Sequence, residues 1–184
     1  MREFVFASAV SLGVMVLVVG TNPVRVAADS DNNRKINIVD DCDPNDPDWA
    51  PTGGCVLKGG RVDVAEFNSY LVIPNIDAVV GHPAWRMSPS YLKLEKGKDL
   101  RVKNIGGRTH TFTEVAQFGA GFVPPLNFGL EKFAPECGGA VNIPAGTRGA
   151  NIEGLSLGNH NFQCCIHPWM RATVKVVKDD DDDN

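Results

Sequence analysis

The sequence predicts an all-β protein, folded as a Greek-key sandwich or barrel, behind an irregular acidic N-terminal extension. From residue 79 onward, short stretches alternate apolar with polar side chains, and glycine and proline separate them. No stretch has the longer periodicity of a convincing amphipathic helix. At 184 residues, with 43% hydrophobic and 22% charged side chains, the chain has the composition of a globular protein.

The predicted strands follow one another at short intervals. Clear alternation begins at Tyr91 and at Leu100, and Thr109 to Val115 are β-branched or aromatic at alternate positions. Four further strands are predicted at 140–143, 148–152, 160–164 and 172–177. Residues 117–138 form a long loop, and loops of that length are usually functional or pinned to the rest of the molecule.

The first 28 residues have the layout of a secretory signal peptide. Arg2 precedes an uncharged stretch from Val5 to Gly20, and Val26 and Ala28 stand at the −3 and −1 positions of a cut before Asp29. The alternative is an uncleaved membrane anchor, although the stretch is shorter than the roughly 20 residues that span a bilayer. We therefore expect a secreted or periplasmic protein without a membrane span after cleavage.

Charge is unevenly distributed along the chain. Residues 29–48 carry seven acidic and two basic side chains, whereas residues 49–178 carry 14 basic and nine acidic ones, a net of +5. A mildly basic middle between acidic ends argues against a nucleic-acid-binding protein with a dominant basic face. Asp179 to Asp183 are five like charges in a row, so residues 179–184 are predicted to be a disordered acidic tail.

Residues 29–78 are predicted to be an acidic, turn-rich extension before the β-domain at 79–178. Residues 29–60 are dense in Asp, Asn, Pro and Gly, which form turns. Oxygen ligands for Ca²⁺ are available here, but their spacing does not match an EF-hand loop, so a solvated acidic loop is favoured. The residues concerned are Asp41, Asp43, Asn45, Asp46 and Asp48.

Five cysteines in an exported chain leave at least one without a disulfide partner. Cys42 and Cys55 bracket the turn-rich part of the extension, and a disulfide between them would hold a loop that has no core of its own. If Cys164 binds a metal, Cys165 is left to pair with Cys137 at the end of the long loop. The alternative for Cys165 is a buried free thiol.

Cys164, His167 and Met170 form the motif C-x-x-H-x-x-M between two predicted strands. Thiolate, imidazole and thioether suit copper in both oxidation states, and a tight loop lets them converge on one ion. His110, which follows a Gly-Gly turn, supplies the second imidazole of a His₂Cys site with a weak axial Met. The competing metal is zinc, although structural zinc seldom accepts a thioether. Taken singly, each residue could instead be structural.

The segments around these residues resemble the cupredoxins of the plastocyanin/azurin type. The resemblance covers residues 79–178, with NxxxxxHTFT at 104–113, FQCCIHPWM at 162–170 in the short amicyanin-like spacing, and a closing strand. It implies that the four candidates are the ligands of one type 1 copper per chain: His110, Cys164 and His167 in the equatorial plane and Met170 on the axis.

The resemblance also implies what such a site does. One-electron transfer is expected, with an unidentified redox protein as partner and a monomeric chain. His167 is implied to be partly exposed at an apolar docking patch with Pro168, Trp169 and Phe118, since small interfaces suit partners that must separate quickly. The alternative function is a secreted copper carrier or storage protein without a redox partner.

The number of histidines limits the enzymatic alternatives. Four are too few for the trinuclear copper centre of a multicopper oxidase. A copper nitrite reductase would need a second copper site, whose ligands are not evident. The two remaining histidines, His82 and His160, are predicted to be structural, so the protein is not expected to be an enzyme.

Overall fold

The computed structural model describes residues 34–72, 79–149 and 151–179, so the leader at 1–28 and residues 180–184 of the tail lie outside the described residues. Within these ranges, nine strands and one α-helix follow in chain order: β1 (Lys35–Asp40), α1 (Val64–Leu71), β2 (Trp85–Ser88), β3 (Tyr91–Glu95), β4 (Arg101–Asn104), β5 (His110–Thr111), β6 (Thr113–Val115), β7 (Asn142–Ile143), β8 (Gly158–Gln163) and β9 (Arg171–Val177).

Two sheets form the body of the fold. In one sheet, of order β2-β1-β4, β1 runs antiparallel to β2 and parallel to β4. In the other, of order β3-β9-β8-β6, β3 and β9 are parallel and the remaining pairs antiparallel. Ile36 and Ile38 from the first sheet and Leu94 and Val174 from the second belong to one buried core. The predicted all-β sandwich is confirmed.

The structure differs from the predicted irregular extension at β1. Ile36 and Ile38 are fully buried there, and Asp40 follows them on the same buried face. β1 lies in the middle of its sheet, so the boundary predicted at residue 79 divides residues that share one core. The alternating pattern of β1 has only three buried side chains, and the last of them is a carboxylate. The strand is therefore difficult to recognise within the acidic sequence around it.

Helix α1 has no counterpart among the predicted elements. The side chain of Asp63 caps it by accepting a hydrogen bond from the Glu66 N–H at 2.7 Å. Phe67 is its buried residue and packs against Trp49 and Trp85. The helix has eight residues, too few for a periodic pattern to stand out. In the described ranges no helix is long and apolar enough to cross a membrane.

Both expected disulfides, Cys42–Cys55 and Cys137–Cys165, are present. The second ties the end of the long loop to the residue pair that follows β8. Gln163 holds the same loop through two hydrogen bonds, since its Oε1 accepts from the Gly119 N–H at 3.0 Å and its Nε2 donates to the Gly119 carbonyl at 3.1 Å. The long loop is therefore pinned beside the carboxyl end of β8.

In the segment predicted as a strand at 148–152, the described residues are 148, 149, 151 and 152, and three of them contact the edge of β4. Arg148 pairs with Lys103 and Ile152 pairs with Leu100 in isolated antiparallel bridges. Gly149 also donates from its N–H to the Val102 carbonyl at 3.0 Å.

Candidate metal centre

His110, Cys164 and His167 come together from two distant parts of the chain. His110 opens β5, while Cys164 directly follows β8 and His167 lies in the loop before β9. Two backbone hydrogen bonds close that loop: Cys164 N–H donates to the Met170 carbonyl at 3.0 Å, and Met170 N–H donates to the His167 carbonyl at 2.9 Å. The compact loop brings the thiol and the second imidazole close to His110.

The donor atoms of these side chains form a triangle. The two Nδ1 atoms of His110 and His167 lie 3.2 Å apart, and each lies 3.7 Å from the Sγ of Cys164. An ion about 2.0 Å from each nitrogen and about 2.3 Å from sulfur, in a trigonal plane, requires an N–N distance of about 3.5 Å and N–S distances of about 3.7 Å. The two N–S distances match these values and the N–N distance is slightly shorter, so the residues fit a copper or zinc ion.

The site is closed to solvent. His110 and Cys164 are fully buried, and His167 is 5% exposed. Cys164 is the one cysteine outside the two disulfides, so its sulfur is available to a metal. The Thr111 N–H points to that sulfur at 3.4 Å, a contact of the kind that tunes a metal-bound thiolate.

The charges of the three side chains are coupled. Burial by itself raises the pKa of Cys164, but hydrogen bonds to His110 and His167 and their charges lower it well below its usual range. Burial lowers the pKa of His110, yet its contacts with Asp40 and Cys164 outweigh that effect and raise it. Burial dominates at His167 and lowers its pKa. The site therefore favours a thiolate at Cys164, the form that binds metal.

Met170, the fourth residue of the predicted site, is fully buried at the end of the same loop. Its backbone takes part in both hydrogen bonds that close the loop around Cys164 and His167. It belongs to the same apolar core as Cys164 and Trp169. Its role as the axial ligand stays a prediction.

Asp40 is a residue of the site that the sequence analysis missed. Its Oδ2 lies 2.7 Å from the Nε2 of His110, with both side chains fully buried. The carboxylate also accepts hydrogen bonds from the Gly107 N–H at 2.8 Å and the Arg108 N–H at 3.1 Å. Burial alone raises the pKa of Asp40, but His110 and these N–H groups lower it. The sequence signal for a buried Asp40 was its alternation with Ile36 and Ile38, which places the three side chains on the same face of β1.

The resemblance implied that His167 is partly exposed within an apolar docking patch, and the structure shows that this expectation is wrong. His167, Pro168 and Trp169 are all buried. Phe67 of α1 lies edge-on to the His167 ring, with 6.4 Å between ring centroids, and packs on Trp169 at 6.2 Å. Phe118 instead packs under the guanidinium of Arg171. A helix from the N-terminal part of the chain thus covers the ligand loop.

An open cavity of about 690 Å³ borders His167. Its wall is mainly apolar and comes from α1, the 3-10 helix Pro124–Leu126 and the ligand loop, with Val64, Leu71, Leu126 and Ile166 among the lining residues. Arg108 also lines it, with its guanidinium 4.6 Å from the centroid of the Trp49 ring. Of the three side chains of the site, His167 is the one that lines this cavity.

The two histidines outside the site have structural contacts, as predicted. The Nδ1 of His160 lies 2.6 Å from the Glu114 carboxylate, and its Nε2 lies 2.8 Å from the Ser156 carbonyl. His82 accepts the Ala84 N–H on its Nδ1 at 3.1 Å and packs against the Tyr70 ring.

The acidic loop of the N-terminal part is used for turns. Asp43 accepts hydrogen bonds from Asn45, and Asp46 accepts from the N–H groups of Asp48 and Val64. In the described part of the chain, the one group of side chains placed to hold a metal ion is His110, Cys164 and His167. The solvated acidic loop is therefore favoured over a Ca²⁺ site.

Neither a protein-family model nor a curated protein sequence matches the chain. Among solved structures, it is similar to a purple cupredoxin from Nitrosopumilus maritimus, with 19% identity, 52% of this chain and 85% of that chain covered, and a TM-score of 0.38. It is also similar to amicyanin from Paracoccus versutus (17% identity, 50% and 73% covered, TM-score 0.34). A third similar structure is a copper-containing nitrite reductase from Thermus scotoductus, with 18% identity and a TM-score of 0.35. The match covers 51% of this chain and 20% of that chain.

At these identities and TM-scores the similarities carry no conclusion about partner or reaction. What the site can do follows from its own donor atoms, their spacing and their burial.

Proposed function

We propose that the protein is a cupredoxin that binds one copper ion and carries single electrons. His110, Cys164 and His167 would hold the ion, and Met170 would be the weaker fourth ligand. The observation that carries this proposal is the buried triangle of two imidazole nitrogens and one thiolate sulfur, spaced for trigonal coordination. Copper in such a site supplies one-electron chemistry between Cu(I) and Cu(II), with little change of geometry.

Rigidity of the protein around the donors supports electron transfer. The loop is closed by its own backbone hydrogen bonds, and Asp40 and the Thr111 N–H hold His110 and the Cys164 sulfur from behind. Side chains that cannot move keep one geometry in both oxidation states, so little reorganisation accompanies each electron. His167, at the edge of the cavity, is the ligand through which an electron reaches the surface most directly.

A copper carrier or storage protein is the second candidate, and burial argues against it. A carrier hands its ion to a partner by exchange of ligands, which requires access to the donor atoms. Here the three donors are between 0% and 5% exposed, and α1 covers the loop that bears two of them. The site is therefore better suited to keeping its ion than to passing it on.

We also propose that the protein is an electron carrier and not an enzyme. An oxygen-reducing or nitrite-reducing copper enzyme needs a second copper centre. In the described residues only one group of side chains is placed to hold a metal ion. We propose that the redox partner is a protein, of unknown identity, and that the chain acts as a monomer.

Export through the leader at residues 1–28 is also part of the proposal. Two disulfides support it, because disulfides form and persist in oxidising compartments such as the periplasm or the extracellular space.

The visible spectrum of the mature protein with copper tests this function. With Cu(II) we expect strong absorption in the red from charge transfer between thiolate and copper, bleached by a one-electron reductant at one electron per chain. Cys164→Ser is expected to abolish the colour. Cys165→Ala combined with Cys137→Ala removes the neighbouring disulfide and is expected to keep it. A colourless protein that binds only Cu(I) would favour the carrier.

A further inference from the structure

Among the described residues, Asp40 is the acid that contacts a candidate ligand, and its effect on the bound ion goes beyond the function proposed above. It comes from the last residue of β1, 70 positions before His110 in the chain. Fully buried carboxylates are rare, because removing the charge from water is costly unless hydrogen bonds replace the hydration. Asp40 has three such donors: His110 Nε2, Gly107 N–H and Arg108 N–H.

The turn before β5 is shaped around this carboxylate. A Cβ atom at Gly106 would lie 2.1 Å from the Oδ2 of Asp40, so only glycine leaves room there. A Cβ atom at Gly107 would lie 2.5 Å from both sulfurs of the Cys42–Cys55 disulfide. The turn therefore fits closely between Asp40 and the disulfide, and His110 follows it directly.

Contact with Asp40 decides which nitrogen of His110 faces the metal centre. Because Nε2 is held by the carboxylate, Nδ1 is the ring nitrogen directed at Cys164 and His167. Rotation of the ring would break this hydrogen bond and leave the buried carboxylate with only its two backbone donors, which is unfavourable away from water. The ring is thus fixed in one orientation before a metal arrives.

We propose that Asp40 is a positioning residue of the metal centre, which fixes the orientation of His110 and lowers the reduction potential of the bound ion. This inference rests on the copper site proposed above. A buried negative charge beside an electron-donating imidazole favours the ion with the higher charge, so it stabilises Cu(II) relative to Cu(I). β1 is therefore part of the metal centre as well as of the sheet.

Asp40→Asn tests the proposal, with Asp41→Asn as the matched control. Both changes remove one acidic side chain at neighbouring positions, but Asp41 has no contact with His110. We expect Asp40→Asn to weaken Cu(II) binding, relative to Cu(I), by about 10- to 100-fold. A tenfold change corresponds to a rise in reduction potential of about 59 mV for a one-electron couple. Asp41→Asn is expected to leave the potential unchanged.

A merely structural role predicts a different result. In that case Asp40→Asn would lower the denaturant midpoint of the metal-free protein, while the potential of the copper-loaded protein would stay at the wild-type value. That outcome would overturn the proposal.

A measurement on the wild type keeps the test decisive if Asp40→Asn does not fold. In Zn²⁺-loaded protein, which is diamagnetic, ¹H–¹⁵N NMR should show a slowly exchanging proton on the Nε2 of His110. A proton on Nδ1 instead, or rapid exchange at Nε2, would contradict the positioning by Asp40. If copper gives no colour while this Nε2 proton is present, the proposed function fails and the role of Asp40 stands.

Discussion

Neighbouring cysteines take opposite roles in this protein. Successive side chains of an extended segment point to opposite sides, so Cys164 and Cys165 at the end of β8 face different surroundings. Cys164 faces the two histidines of the metal centre, whereas Cys165 pairs with Cys137 in a second small core beneath the long loop. A shift of one residue in the register would exchange these roles, so the register of β8 determines which sulfur is available to a metal.

At the axial position, Met170→Leu tests the fourth ligand. Leucine fills a similar volume without a sulfur donor, so the equatorial ligands still give a coloured site. Loss of the thioether removes a donor that stabilises Cu(II), and we expect the reduction potential to rise. Voltammetry of the copper-loaded variant measures this directly. Loss of the site, or an unchanged potential, would show that Met170 is not the axial ligand.

At the scale of elements, helix α1 packs against the loop that carries two of the candidate ligands. Its Phe67 is 7% exposed and contacts the rings of His167 and Trp169. This helix and the cavity beside it come from the part of the chain that the sequence analysis placed in an extension. A partner in the proposed electron transfer would therefore meet a surface that α1 helps to form.

Phe67→Ala removes the ring that packs against His167, so we expect His167 to become more accessible to solvent. Truncation of a buried phenylalanine costs about 3–5 kcal/mol of the free energy of unfolding. Because His167 becomes accessible, we also expect faster reduction of the Cu(II) form by a small anion such as ascorbate. Stopped-flow absorbance measures the rate, and Leu94→Ala in the core of β3 is the control for lost stability. Equal rates in the two variants would mean that α1 does not limit access.

A second contact between elements gives the protein a pH-dependent stability. His160 in β8 faces the Glu114 carboxylate in β6. Burial lowers the pKa of His160, but its hydrogen bonds to Glu114 and Ser156 outweigh burial and raise it. A histidine with a raised pKa in the folded state stabilises the fold below its unfolded pKa of about 6.5, and this contribution is lost as the pH rises through the folded value.

His160→Gln should remove this pH dependence. Urea midpoints at about pH 5.5 and about pH 8.5 are compared for the wild type and the variant. We expect the wild type to exceed the variant in free energy of unfolding by more at the lower pH than at the higher pH. The difference should be less than about 1 kcal/mol, because the Glu114 side chain is 49% exposed and water weakens the ion pair. Glu114→Gln should have the same effect. A wild-type advantage that grows with rising pH would contradict the assignment.

For the whole molecule, charge segregation acts at long range. The basic middle of the chain, with its net of +5, lies between acidic ends in the sequence. Fields of this kind change association rates with charged partners more than they change affinity, and salt screens them.

Deletion of residues 179–184 tests this steering. The spectrum and the midpoint of thermal unfolding are expected to stay the same. Electron exchange with an anionic reagent such as ferricyanide should become faster at low ionic strength, since five negative charges are removed. The difference should fade above about 0.15 M salt, where the Debye length is about 8 Å. Equal rates at every salt concentration would leave the tail without a steering role.

The sequence alone predicted those features whose parts lie close together in the chain. Cys164, His167 and Met170 fall within seven residues, and the strands from Tyr91 onward show their own alternation. The spacing of the cysteines suggested the Cys42–Cys55 disulfide and left Cys165 with two alternatives, a disulfide with Cys137 or a free thiol; the structure has both disulfides. Each of these features is local, or is narrowed to a few choices by the small number of cysteines.

Tertiary structure decided what is assembled from distant residues. Asp40 meets His110 across 70 positions, and Phe67 of α1 covers a loop 100 residues further along the chain. Composition could not reveal either contact, because β1 and α1 are short and lie in a segment rich in turn-forming residues. Their place is fixed by the buried isoleucines of β1 and by the packing of Phe67 among Trp49, Trp85 and Trp169. The burial of apolar surface, which depends on the whole fold, brings the N-terminal part to the metal centre.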